Sequence, residues 1–83
     1  MTEAIPIEVH HASRFMDVMA RLPGVRFEDV RIALTRDQLT IDAVAPEGRR
    51  HYAMCLASPV DDRRATMHFN DGVLRLHLPK LGP

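Results

Sequence analysis

The sequence predicts an all-β protein, an antiparallel sandwich or barrel built from six or seven short strands. Apolar and polar residues alternate in short runs, turn-forming residues separate these runs, and two of the runs flank the pair Asp71-Gly72. Alternation with a period of two is typical of strands that bury one face, and Asp-Gly between two such runs is a strong hairpin signal. Several short strands at regular spacing indicate a sandwich or barrel.

The C-terminal hairpin comes with a predicted register. If Asp71 and Gly72 form a two-residue turn, the expected cross-strand pairs are 70 with 73, 69 with 74, 67 with 76 and 65 with 78. The large apolar side chains other than Val73 then share one face, and a slip by one residue would expose that face. Pro79 ends the second strand because proline cannot donate a ladder hydrogen bond.

The N-terminal part starts with a predicted strand in which Ile5, Ile7 and Val9 alternate with polar residues and Pro6, followed by a turn at 11–13. Residues 14–22 fit two patterns. Phe15, Val18, Met19 and Leu22 have helical spacing, whereas Met16, Val18, Ala20 and Leu22 alternate as in a strand. Periodicity alone leaves helix and strand open.

The middle of the chain contains a second predicted hairpin. Leu22, Pro23 and Gly24 break the chain, and alternation over 30–34 and 39–43 predicts two strands with 34 opposite 39 and 32 opposite 41. Residues 45–48 form the next expected turn. A strand follows in which Tyr52, Met54 and Leu56 alternate with polar and small residues, and a charged loop over 58–64 leads to the C-terminal hairpin.

Composition limits the classes of function. The chain has 83 residues, enough for one domain, with 46% hydrophobic residues and 11 basic residues against 11 acidic ones. The balanced charge argues against nucleic acid or an anionic membrane as the main partner. No apolar run has the ~18–20 residues that span a bilayer, and no secretory signal is recognisable. The single cysteine excludes an internal disulfide, and we expect a cytoplasmic protein.

The candidate chemical groups predict neither a catalytic site nor a bound metal or cofactor. The five histidines lack metal-ligand spacing, and in the predicted hairpin His68 faces Arg75 while His77 faces Thr66. Cys55 lies about 13 Å along a strand from His51, so the two form no dyad, and we expect a buried structural thiol. The four glycines lie at predicted turns and in the tail, which excludes a glycine-rich phosphate loop.

What remains is a binding surface for other proteins. Edge strands carry unpaired backbone groups that can capture an extended peptide. A groove between the sheets could be lined by Leu39, Ile41, Met67 and Phe69. The alternative is that these four residues fill the core.

A resemblance to a known family comes from the C-terminal third. Ala65, Asn70, Gly72-Val73-Leu74 and Pro79-Lys80 form the pattern Ala-x-x-x-x-Asn-x-Gly-Val-Leu-x-x-x-x-Pro-Lys. With Leu22-Pro23-Gly24 and the strand segments between, this pattern resembles the α-crystallin domain of small heat-shock proteins. The resemblance covers residues 14 to 80 in the order of that family. The six residues that mark its turns are Leu22, Pro23, Gly24, Asp71, Gly72 and Pro79.

The resemblance implies an immunoglobulin-like antiparallel β-sandwich of six to eight strands in which residues 14–21 form a strand. It implies one domain over 1–83, with a core over 14–80 and an extra N-terminal strand and turn over 1–13. It also implies a protein without enzymatic activity that binds unfolded or partner proteins in a chaperone-like, stress-response role, through a sheet edge or the groove between the sheets.

The chain departs from the family in features that govern assembly. Only residues 46–49 replace the long loop and extra strand that bacterial-type members exchange between subunits, and neither an Ile-x-Ile tail nor a long N-terminal arm is present. We therefore expect a monomer or a weak homodimer instead of a large oligomer. The short link is similar to the corresponding connection in the compact relatives, among them the CS-domain co-chaperones. Gly48-Arg49-Arg50 is similar to a domain appended to arsenite-type ATPases, which implies an alternative function as a regulatory or accessory domain of such an ATPase.

Overall fold

In residues 3–81, which the computed structural model describes, eight strands form two four-stranded sheets. The strands are β1 (Glu3–Ala4), β2 (Ile7–His11), β3 (Phe15–Arg21), β4 (Val30–Leu34), β5 (Gln38–Ala45), β6 (Gly48–Cys55), β7 (Thr66–Asn70) and β8 (Val73–Pro79), with a short 3₁₀ helix at Phe27–Asp29 before β4.

The two sheets have the strand orders β1-β6-β5-β4, called sheet A, and β2-β3-β8-β7, called sheet B. Neighbouring strands are antiparallel except for the short parallel pair β1–β6. The predicted antiparallel β-sandwich of six to eight strands is therefore confirmed.

The C-terminal hairpin has the predicted register. Asn70 pairs with Val73, Phe69 with Leu74, and Met67 with Leu76. Asp71 and Gly72 both have positive φ, at 52° and 75°, which is the conformation of the two-residue turns that suit the twist of a hairpin. The register ends one residue early, because β7 begins at Thr66, and the expected pair of residues 65 and 78 is not part of it.

Residues 15–21 form a strand, and the helical alternative for this stretch is wrong. β3 lies between β2 and β8 and pairs with both along its length. Met16, Val18 and Ala20 are buried in the core, while the residues between them point outward. Pairing with a neighbouring strand on each side thus decides between the two conformations that periodicity left open.

The predicted N-terminal strand begins two residues later than expected, at Ile7, and Ile5-Pro6 separates it from the short strand β1. β1 joins the edge of sheet A and β2 joins the edge of sheet B, so this segment connects the two layers. Proline has no N–H for a ladder hydrogen bond, which favours a break at this position. The Ile5 side chain is buried at the crossing.

The core is formed by the inward-facing residues of the central strands. These strands are β3 and β8 in sheet B and β5 in sheet A, and their buried apolar residues are Met16, Val18, Ala20, Leu39, Ile41, Ala43, Ala45, Leu74, Leu76 and Leu78. Leu56 and Val60 close the core from the loop after β6. The second predicted hairpin is also confirmed, since Leu34 pairs with Leu39 and Ile32 with Ile41.

Substitution of the turn glycine tests the C-terminal hairpin. Gly72→Ala would place a Cβ atom 3.2 Å from the Leu22 carbonyl oxygen and 3.3 Å from Pro23 Cα, at a backbone φ of +75°. We expect a loss of about 1–3 kcal/mol in the free energy of unfolding, measured by chemical denaturation. Asp71→Asn is the matched control and should change stability little, since asparagine also adopts positive φ. Equal losses in both variants would contradict this account.

Candidate functional site

The position of the candidate site follows from the positions of the edge strands of the two sheets. β1 and β2 are edge strands of different sheets and are joined by two residues, so these two edges lie on the same side of the sandwich. The other two edges, β4 and β7, therefore face each other on the opposite side. β4 pairs with β5 and β7 pairs with β8, and the described chain forms no ladder between β4 and β7.

Apolar side chains line the gap between these two edges. We call the following residues the β4–β7 seam: Phe27, Val30, Ile32, Leu34, Ala65, Met67 and Phe69. Five of the seven are half-buried and pack against the core, while Met67 is 45% exposed and Phe27 is 57% exposed. The rings of Phe27 and Phe69 lie 6.3 Å apart between centroids, which joins the two edges at one end of the seam.

The sequence builds the seam by the same alternation that builds the core. Val30, Ile32 and Leu34 face inward at every second position of β4, and Arg31 and Ala33 point outward. An interior strand would be covered on both sides, but β4 has a neighbour on one side, so its inward side chains remain half-exposed. None of the seven seam side chains ionises. The site can bind through apolar burial and backbone hydrogen bonds, and it offers no acid, base or metal ligand of its own.

The structure separates the four residues that the sequence singled out for binding. Leu39 and Ile41 are completely buried, at 0% exposure, because β5 is an interior strand of sheet A. Their side chains are therefore not accessible to a partner in this conformation. Met67 and Phe69 lie on the edge strand β7 and line the seam.

Sequence reasoning missed the β4 residues and Phe27. A hairpin pattern determines which residues pair, but it does not tell which of the two strands will lie at the edge of the sheet. Phe27 could have been recognised from the sequence. It is a large aromatic residue in a predicted loop, between the charged residues Arg26 and Glu28, where a core side chain is not expected.

The expectation of a buried Cys55 is wrong. The thiol is exposed because β6 directs Tyr52 and Met54 inward, which leaves Cys55 on the outer face. The acidic pair before β4 forms ion pairs within its loop, where Arg26 Nε lies 3.4 Å from both Glu28 Oε1 and Asp29 Oδ2.

The histidines all lie on the surface of the sandwich. His51 Nδ1 donates to Asp42 Oδ1 at 2.6 Å on sheet A, and His77 Nδ1 donates to Asp17 Oδ1 at 2.7 Å on sheet B. Within the described residues, no group of three or more His, Cys, Asp or Glu side chains is placed to hold a metal ion. His51 and His77 are thus each paired with an aspartate on a neighbouring strand.

Comparison with known proteins gives no match to a family model and none among the curated proteins. Solved structures do match. Heat shock protein 16.0 from Schizosaccharomyces pombe superimposes with a TM-score of 0.90 at 24% identity, over 99% of this chain and 70% of that one. HspA from Xanthomonas axonopodis gives 0.83 at 18% identity, over 95% of both chains. A small heat-shock protein from Xylella fastidiosa gives 0.82 at 19% identity, over 95% and 87% of the two chains.

The chain has the α-crystallin-domain fold. The resemblance that the turn motifs carried is therefore confirmed at the level of the fold, with small heat-shock proteins as the structural neighbours. In residues 3–81 of this α-crystallin-type sandwich, no helix is long and apolar enough to cross a membrane.

Paired truncations distinguish the core residues from the seam residues. Leu39→Ala should lower the free energy of unfolding by about 2–5 kcal/mol, because it leaves a cavity at a completely buried position. Met67→Ala should cost less than about 1 kcal/mol, because the side chain is already half in water. Chemical denaturation of both variants measures the difference. A Met67→Ala loss as large as that of Leu39→Ala would place Met67 in the core and would remove it from the seam.

Proposed function

We propose that this protein is a non-enzymatic binding module of the α-crystallin type, which binds extended apolar segments of other proteins at the β4–β7 seam in a chaperone-like manner. The observation that carries the proposal is the coincidence of two unpaired strand edges with a continuous row of half-buried apolar side chains. Structural likeness to small heat-shock proteins supports a protein-binding role.

The spacing of the seam indicates what a ligand should look like. Val30, Ile32 and Leu34 recur at every second residue, which is about 6.6–7 Å along a strand. An extended peptide added to a sheet edge presents its own side chains with the same period. We infer a preference for segments in which aliphatic residues alternate with other residues, held by backbone hydrogen bonds to one edge and by apolar contacts across the seam.

Burial of the exposed seam residues supplies most of the favourable free energy of binding. Met67 and Phe27 leave about half of their side-chain surface in water, and complete burial of such a side chain is worth about 1.5–3 kcal/mol. Methionine suits this role because its unbranched side chain adapts to differently shaped partners. A ligand that covers both residues would bind without any rearrangement of the core.

We also propose that the protein acts in the cytoplasm as a monomer or a weak homodimer. The short turn between β5 and β6 provides no strand for exchange with a second subunit. Two residues of β1 pair with the outer edge of β6 and partly cover it. β2, β4 and β7 each have a neighbour on one side only, and of these edges β4 and β7 border the seam.

Peptide binding tests the seam. A labelled peptide with isoleucine at alternate positions should bind the protein, and Met67→Ser should weaken the affinity by about tenfold, because the apolar contact with Met67 is lost. Val44→Ser is the matched control. Val44 has a similar exposure of 52% but lies on β5, whose outward face is away from the seam. Fluorescence anisotropy gives both affinities.

Two further results would decide the proposal. A peptide of the same composition with adjacent isoleucines should bind more weakly, because its side chains do not match the period of β4. Equal weakening by Met67→Ser and Val44→Ser would show non-specific apolar adsorption and would overturn the seam as the site. Suppression of aggregation of a heat-denatured protein, followed by light scattering, should be lost in Met67→Ser but not in Val44→Ser.

Solution mass tests the proposed assembly. Light scattering coupled to size exclusion should give a mass near the chain mass of 9.4 kDa, with at most a concentration-dependent shift toward the dimer. A stable dimer would indicate that one of the unpaired edges is an interface between copies. Large polydisperse particles would contradict the proposal and would indicate that assembly needs no exchanged strand.

The alternative function, a regulatory or accessory domain of an arsenite-type ATPase, rests on the short link over residues 46–49 and on the segment 48–50. The three structures described above are heat-shock or heat-shock-like proteins and do not favour it. It remains a prediction, and binding of a purified ATPase of this type by the protein, with no binding of the isoleucine peptide, would support it over the first proposal.

A further inference from the structure

The outer face of sheet B carries a trough that the seam does not use. Strand register aligns three rows of residues across all four strands of this sheet. The middle row, Val9, Val18, Leu76 and Met67, forms the floor with its backbone. One wall consists of Glu8, Met19, Arg75 and His68, and the other of His10, Asp17, His77 and Thr66. These twelve residues enclose a depression of about 670 Å³.

The dimensions of the trough follow from sheet geometry. Residues two apart along a strand separate the walls by about 7 Å, and three inter-strand spacings give a length of about 14 Å. The trough ends at the edge strands β2 and β7 and is therefore open at both ends. A segment of about four extended residues has this length. The shape suits a chain that passes through, laid across the strands.

The two carboxylates of the trough are engaged within the protein. Asp17 accepts a hydrogen bond from His77 Nδ1 at 2.7 Å, and Glu8 Oε1 lies 3.7 Å from Arg21 Nη2. The ring of Phe15 lies 4.8 Å from that of His77 between centroids. His77 is thus held by Asp17 at one nitrogen and by Phe15 at its ring, so its other nitrogen remains for a ligand.

Arg75, the arginine of the trough, has no such ion pair with a carboxylate of the described residues. Arg75 is exposed, and its cross-strand neighbours are Met19 and His68. Among the side chains that the structure describes, no carboxylate lies within ion-pair distance of Arg75. Among the described side chains, the guanidinium group of Arg75 is therefore without a counter-charge, and it lies between His68 on one side and Met19 on the other.

We propose that this trough is a second binding surface, which takes an extended peptide segment with a carboxylate side chain placed on Arg75. Arginine pairs with carboxylates through two parallel hydrogen bonds, and such charge-assisted bonds are stronger than neutral ones. His68 lies beside Arg75 on the same wall, and the free nitrogen of His77 on the opposite wall can bind the same segment. The trough lies on the outer face of sheet B and the seam lies between the sheets. Met67 belongs to both, with its backbone in the floor of the trough and its side chain in the seam.

A nuclear magnetic resonance titration of the isotope-labelled protein tests this proposal. The probe is a short capped peptide of threonines with one central glutamate, and the matched probe has glutamine at that position. The glutamate peptide should shift the amide signals of residues 8–10 and 17–19, which lie on the strands farthest from β4. Arg75→Gln should weaken its affinity by about tenfold, and the glutamine peptide should not respond to this substitution.

The control variant is Arg31→Gln. Arg31 is an exposed arginine on the outer face of sheet A, so the variant makes the same change in net charge away from the trough. Its affinity for the glutamate peptide should equal that of the unaltered protein. If both variants weaken the affinity equally, the effect comes from net charge alone, and the trough is not the binding site. Shifts confined to residues 30–34 and 66–70 would assign the peptide to the seam, and absence of any shift would also overturn the trough as a binding surface.

Discussion

Burial of every second side chain on β3, β5 and β8 is the constraint on which the rest of the structure depends. Each of these strands is interior to its sheet, so its register is held from both sides, and its inward residues are almost completely buried. A shift of one residue in any of the three would move buried apolar side chains into water and polar groups into the core. The outer strands take their positions from this central set.

The same constraint creates the surfaces that can bind partners. The interior strands β3, β5 and β8 bury their inward residues almost completely, whereas the edge strands β4 and β7 with the same alternation leave theirs half-exposed, as Ile32 and Met67 illustrate. Edge strands with unpaired backbone groups are an aggregation hazard that proteins usually protect. Here β1 partly covers one edge of sheet A, and the opposite edges of both sheets remain open beside apolar side chains. A binding role for this seam would turn that hazard into a function.

Polar residues on the outer faces are organised by cross-strand pairing. His51 with Asp42 and His77 with Asp17 form one imidazole–carboxylate pair on each sheet. These exposed pairs contribute little to stability, but they fix side-chain positions. On sheet B this pairing engages Asp17, and among the described side chains no carboxylate lies within ion-pair distance of Arg75, on which we propose that an acidic ligand binds.

The local sequence pattern was sufficient to predict much of this fold. Asp71-Gly72 determined a two-residue turn and hence the register of the C-terminal hairpin, and the alternation at 30–34 and 39–43 determined the second hairpin, because pairing within a hairpin depends on residues close in the chain. The turn motifs were specific enough to indicate the α-crystallin-domain fold, although no family model matches the sequence.

Strand order was decided only by the tertiary structure. The pattern at 14–22 fits a helix as well as a strand, and pairing with β2 and β8 on either side makes it a strand. Leu39 and Ile41 have the same alternation as Val30 and Ile32, yet β5 is interior and β4 is an edge, so the first pair is core and the second pair lines the seam. Cys55 faces outward because β6 turns Tyr52 and Met54 inward. Long-range packing determines which side of each strand is covered, and a single sequence does not encode that choice in any local pattern.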